Sequence, residues 1–137
     1  MLIRMTTIIH TRVAQLAVVV LAVFAGSAVA ATLAQPADRN AVALVIAGEA
    51  AERPDILARA EAAAERTGAQ LRIVRTNADQ LGATHLFAAR GYDAVVTVGA
   101  DRRIAIAPVE KRFPRTRFLE AAPRDLEREL AVAARYL

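Results

Sequence analysis

Two carboxylates stand directly behind apolar runs that end in glycine. Glu49 follows Ala41–Ala47 and Gly48, and Asp101 follows Ala94–Val98, Gly99 and Ala100. If each run is a strand of one parallel sheet, Gly48, Glu49, Gly99 and Asp101 border a single crevice outside the strand ends. There the carboxylates could accept hydrogen bonds from hydroxyl or amine groups of a small polar ligand. A plainer reading uses the same residues: the glycines allow tight turns and Asp101 caps the helix that follows.

Other chemistry is limited by composition. The chain has no cysteine, its one serine is Ser27, and its two histidines are His10 and His85. Ser27 and His10 lie within the first thirty residues, so residues 31–137 can assemble neither a Ser/His/Asp triad nor a two-histidine metal site. A phosphate loop of the form GxxxxGK[ST] is missing, because Lys111, the one lysine, has no glycine before it. The expected sets of catalytic residues, metal ligands and cofactors are therefore empty, and the chain reads as non-enzymatic. His85, between Leu81 and Leu86, reads as a half-buried helix residue. Tyr92 and Phe113 read as packing aromatics or as stacking platforms. The run Arg112, Arg115 and Arg117 reads either as a site for an anion or anionic lipid or as a solvated face interleaved with Glu110 and Glu120.

Positioning these residues requires elements, and the pattern supplies them. Ala41–Ala47 and Ala94–Val98 are continuous apolar runs, as strands buried on both faces are. Leu71–Thr76 alternates and contains Arg72 and Arg75, which places it at an edge; Thr116–Ala121 is the fourth strand. Pro54 and Asp55 open a helix that Gly68 ends, with Leu57, Ala60 and Ala64 inward. Asn77 caps the next helix, with Ala78, Leu81 and Ala89 inward and Gly91 closing it. Pro123 and Asp125 start a last helix on which Leu126, Leu130, Ala133 and Leu137 recur at helical spacing. Pro108 leaves two readings of the third crossover. One is a kinked or restarted helix to Phe113; the other is an extended piece holding Ile104 and Ile106 before a one-turn helix. Four strand–helix alternations predict a small doubly wound, flavodoxin-like α/β layer over residues 41–137. Its parallel sheet has strand order 2-1-3-4, with helices on both faces.

The first thirty residues read differently. Arg4, His10 and Arg12 precede an apolar run over Val13–Ala25, and Ala28-Val29-Ala30 offers small residues for cleavage after Ala30, the pattern of a secretory signal peptide. Val13–Ala37 contains no charged residue and is also long enough for an uncleaved membrane anchor. The absence of cysteine leaves no residue for a lipoprotein anchor. Residues 31–40 form a polar linker, and the domain is expected in the periplasm or outside the cell. Loss of Arg4 and Arg12 with the leader takes Lys+Arg from 18 to 16 against 14 acids, a net +2. So small an excess argues against a nucleic-acid partner.

Gly91-Tyr92-Asp93 before the apolar strand, then Lys111, Arg112, Phe113 and Pro114 leading to a strand with Phe118, resembles the first lobe of the basic membrane protein family. These are periplasmic nucleoside-binding receptors of ABC transporters. The resemblance covers about thirty residues closely and Ala41–Gly91 in topology alone. It implies two flavodoxin-like lobes clamping a ligand, and hence a nucleoside-like ligand and a second lobe, a homodimer or a transporter permease as partner. The first βα loop, Gly48–Glu52, lacks the Asp, Asn and aromatic residues with which the family holds its ligand, and Gly99–Asp101 lacks an aromatic residue. A structural or accessory envelope protein, acting by protein docking without a ligand, is the alternative.

Overall fold

Val42–Ala47 forms β1 and Ala94–Val98 forms β3, and every residue of both is buried. Their β-branched and alanine side chains suit a strand covered on both faces, where a charge would have no solvent. Gln70–Val74 forms β2 and Arg117–Ala121 forms β4. The four strands are parallel in the order β2-β1-β3-β4, as the alternation of elements predicts. Arg72 on β2, and Arg117 and Glu120 on β4, reach solvent because these strands are the sheet edges. The computed structural model describes residues 41 to 135. The leader or anchor of residues 1–30, the linker of residues 31–40 and Leu137 lie outside the described residues.

Helices cover both faces. α1 (Pro54–Thr67) and α4 (Leu126–Arg135) pack Ile56, Ala60, Leu126 and Leu130 onto Leu44, Ile46, Val96 and Val98. α2 (Asn77–Ala89) and α3 (Ala107–Arg112) pack Phe87, Ala88 and Val109 onto Ala43, Val45 and Val95. Residues 42 to 133 thus close both faces of the sheet, and this stretch carries a two-sided core of its own.

Three local expectations are corrected. On α1, Ala60 and Ala64 are buried as expected, but Ile56 takes the fully buried place in the first turn and Leu57 packs half-buried at the core's edge. Thr76, not Asn77, caps α2: its hydroxyl oxygen accepts from the Asp79 N–H at 3.1 Å. The inward face of α2 is the largest change. Ala78, Leu81 and Ala89 are exposed, and Gln80, Ala83, Thr84, Phe87 and Ala88 are buried. Two polar residues occupy that buried face because each finds a partner beyond the helix. The Thr84 hydroxyl donates to the Ala105 carbonyl at 2.6 Å, and the Gln80 side-chain oxygen accepts from the Asp101 N–H at 3.0 Å. With those bonds made, burial leaves no unsatisfied group.

Of the two readings left open by Pro108, the structure takes the restarted helix. Arg102–Ile106 is a π-helical turn, and α3 begins at Ala107 with Pro108 in its first turn. Proline has no N–H to continue the preceding ladder, and the turn before it widens so that the Ala107 N–H reaches the Arg102 carbonyl. Asp101 caps this turn, its carboxylate accepting from the Arg103 and Ile104 N–H groups at 2.8 and 3.3 Å. Arg102 pairs with Glu120 at 2.6 Å and Glu110 at 3.0 Å, strapping the crossover to β4.

On the opposite face Arg59 of α1 grips Glu127 of α4 through two bonds of 2.7 and 2.6 Å. Hydrogen bonding from Arg59 holds the Glu127 carboxyl below its usual range, against the desolvation that raises it. A carboxyl depressed by folding stabilises the native state above its unfolded value and loses that contribution as the pH falls through its native value. We therefore expect Glu127→Gln to remove part of the decline in stability below about pH 4.5 while lowering stability at pH 7. Both groups are partly solvated, so the loss at pH 7 is at most about 1 kcal/mol. Urea midpoints of the two proteins across that pH range measure it, and parallel pH curves would refute the linkage.

Candidate functional site

The strands end flush. Ala47 lies opposite Val74, Ile46 opposite Val98, and Val98 opposite Ala121. Strand order reverses between β1 and β3, and their two loops leave side by side from the centre of the sheet. Gly48 and Gly99 are the residues at which they touch. Both backbones are left-handed, with φ of 56° and 74°. A Cβ on Gly48 would sit 2.9 Å from the Gly99 carbonyl oxygen, and one on Gly99 would overlap the Ala47 carbonyl oxygen and stand 3.1 Å from the Ala50 Cβ. The two loops are thus in backbone contact, which only a residue lacking Cβ permits.

After Gly48 the chain forms a single 3-10 turn, Gly48–Glu52, which buries Ala50 and Ala51 against the sheet and leaves Glu49 exposed. Glu49, Ala50, Arg53, Ile56, Gly99 and Pro123 line an open depression of about 300 Å³ on the α1 and α4 side. Arg53 is held by Asp55 across a 2.7 Å ion pair. Hydrogen bonding from Arg53 is also the main reason that the Asp55 carboxyl lies below its usual range.

Of the four residues anticipated from the sequence, Glu49 and Gly99 line this depression, and Gly48 adjoins it through its contact with Gly99. Asp101 is not among its lining residues. Its N–H is taken by Gln80 of α2 and its carboxylate by two backbone N–H groups, so it fixes the loop that carries Gly99. Arg53 and Pro123 are lining residues that sequence reasoning missed. Pro123 follows β4, and its place on this wall depends on how the loops after β1, β3 and β4 pack together, which local patterning does not encode. Chemically, the depression offers one free carboxylate, a guanidinium already paired, and an apolar floor. Among the described residues no group of three His, Asp or Glu side chains could hold a metal ion. His85 faces away from the depression and meets Phe113 edge-on, with ring centroids 5.2 Å apart.

The residues that carry the family resemblance lie at the other end of the sheet. Gly91, Tyr92, Asp93, Arg112, Phe113 and Pro114 line one depression of about 430 Å³ at the amino ends of β3 and β4. The Tyr92 carbonyl accepts from the Thr116 hydroxyl at 2.8 Å, and the Asp93 carbonyl from the Arg117 N–H at 2.8 Å. In this chain the motif aligns the start of β3 with the start of β4, which is a scaffold role.

No family model matches the chain, and no curated protein matches it in sequence. Among solved structures it is similar to a crystallised fragment designated a lipoprotein of Peptoclostridium difficile 630. Sequence identity is 14%, the TM-score is 0.47, and the match covers 68% of this chain and 93% of that one.

Proposed function

We propose that the chain is an exported, non-catalytic binding domain, built like one lobe of a basic membrane protein-type receptor, whose ligand sits at the carboxyl ends of β1 and β3. The observation that carries the reading is the Gly48–Gly99 contact, which sets Glu49 over the depression of about 300 Å³ at the point where strand order reverses. Open parallel sheets bind small ligands at that place. The volume lies at the lower end of small-molecule sites, and the depression is open to water. A ligand there is half-covered, and a second surface completes its enclosure: another lobe, a second copy of the chain or a transporter permease. Glu49 accepts hydrogen bonds from a hydroxyl or amine, and Asp101 holds the Gly99 loop in place. By resemblance the ligand is nucleoside-like.

Thermal unfolding of residues 31–137 with added nucleosides, beside native mass spectrometry, tests this. The expected result is a ligand-dependent rise in the midpoint together with self-association. Glu49→Ala should weaken binding about tenfold, the worth of a hydrogen bond to a charged acceptor. A strict monomer that no nucleoside stabilises would sink the reading.

A docking protein without a ligand is the second reading, and one observation favours it. Ile73 is 39% exposed on β2, whose outer edge pairs with no other strand among the described residues. Such an edge is a template for another chain. In that case Glu49→Ala leaves function intact and Ile73→Lys abolishes it.

A further inference from the structure

We infer that the amino end of the sheet, on its β3–β4 side, is a docking surface for anionic phospholipid bilayers. Lys111 and Arg112 occupy the last turn of α3, Arg115 lies in the connection to β4, and Arg117 is the first residue of β4; all four are exposed. The helix dipole accounts for cations at the end of α3. It does not account for Arg115 and Arg117, which belong to no helix.

The acids that interleave with these cations in sequence do not neutralise them. Glu110 and Glu120 both turn to Arg102, and among the described residues none of the four cations forms an ion pair. Asp93 is half-buried on the same wall and already has a partner. Glu61 and Glu65 lie beside β2, away from the patch. Between the cations the depression of about 430 Å³ exposes Tyr92, Phe113 and Pro114, and the Arg112 guanidinium lies 5.9 Å from the centre of the Phe113 ring. Arginine and aromatic side chains around an apolar hollow suit the boundary between headgroups and acyl chains.

The path of the chain selects a bilayer as the occupant. The Ala41 carbonyl accepts from the Asp93 N–H at 3.0 Å, so the chain enters the domain at this same end. Upstream, Val13–Ala37 contains no charged residue, and only residues 38–40 separate it from Ala41. If that run stays in the membrane, at most about 15 Å of extended chain links it to the domain. The end that carries the four cations is then the one held against the lipid. Each cation near an anionic surface raises partitioning about fivefold, and the attraction fades beyond a Debye length of about 10 Å.

Residues 31–137, which contain the whole two-sided core and omit the apolar run, are sedimented with two kinds of vesicle. One is phosphatidylcholine alone, and the other is phosphatidylcholine and phosphatidylglycerol in equal parts. The expected result is partitioning to the mixed vesicles at least about tenfold above the neutral ones. Added salt should weaken it. The pair Arg112→Glu and Arg115→Glu should bring it to the neutral level, whereas Arg103→Glu with Arg124→Glu, at the opposite end and equal in charge, should keep most of it. Equal partitioning to both vesicles overturns the proposal, and so does an equal loss in the two double variants, which would show net charge alone at work. Should the first pair fail to fold, Lys111→Gln with Arg117→Gln and the salt dependence of the unmodified protein decide the matter by the same criteria.

Discussion

Gly99→Ala is expected to destabilise the domain by about 3 kcal/mol or more, although it adds a single methyl group to an exposed loop residue. Two effects combine. An alanine at φ 74° loses about 1–2 kcal/mol to the left-handed backbone alone. Its Cβ also overlaps the Ala47 carbonyl oxygen, a backbone atom that cannot rotate away, and crowds the Ala50 Cβ behind it. Relief requires the loop after β3 to separate from the loop after β1, with Ala50 leaving its seat against the sheet. Gly48→Ala is milder, about 2 kcal/mol, because its Cβ at 2.9 Å from the Gly99 carbonyl needs a smaller shift.

The double variant discriminates this mechanism from two independent backbone penalties. Once the loops have separated for one methyl group, the second meets open space. The combined loss should then fall short of the sum by about 1 kcal/mol. Urea denaturation of the four proteins measures the coupling, and strict additivity would show that the glycines do not meet. The same separation would open the depression that Glu49 borders, so any ligand binding under the proposed function should weaken in either variant before the fold is lost.

Ile106→Ala should lower stability by about 2–5 kcal/mol, and Ile104→Ala by less than about 1 kcal/mol. The contrast follows from the π-helical turn. Ile106 is fully buried with Val109 and Phe118 under the second face of the sheet, while Ile104, two residues earlier, is half-exposed. In an extended segment, residues two apart share a face and would be affected alike. Losing about 2–5 kcal/mol from a domain of this size removes a large part of its total stability, so the Ile106 variant should be partly unfolded at 37 °C. Circular dichroism during thermal and urea unfolding reads both variants. Similar losses would restore the extended reading of this crossover.

Much of the fold is legible because its information is local. Ala41–Ala47 and Ala94–Val98 hold no charge and are rich in β-branched residues, which suits central parallel strands and little else. Arg72 marks β2 as an edge for the complementary reason, since an arginine cannot lie under a helix without a partner. Pro54, Gly68, Gly91 and Pro123 punctuate the helices where proline and glycine are tolerated. Strand order then follows from the few topologies that right-handed crossovers permit.

What escaped the sequence are properties of pairs distant along the chain. The inward face of α2 looked apolar through Ala78, Leu81 and Ala89. The structure buries Gln80 and Thr84 because Asp101 and Ala105, 21 residues away in each case, satisfy them. Glu110 and Glu120 stand among the arginines of the β4 approach, yet both serve Arg102. Asp101 was legible as a cap and as a ligand contact alike; in the folded chain its carboxylate makes the local cap bonds to Arg103 and Ile104, and its N–H goes to Gln80 across the fold.

Sequence alone therefore determined the class, the order of elements and the identity of the two glycines, because backbone preference and burial act over a few residues. Tertiary structure decided that those glycines touch, that Glu49 and not Asp101 borders the depression beside them, and that four cations with no ion pair among the described residues gather where the chain enters. Each depends on groups that chain order separates and sheet order brings together. Steric exclusion and charge act through space, and only the folded chain sets those distances.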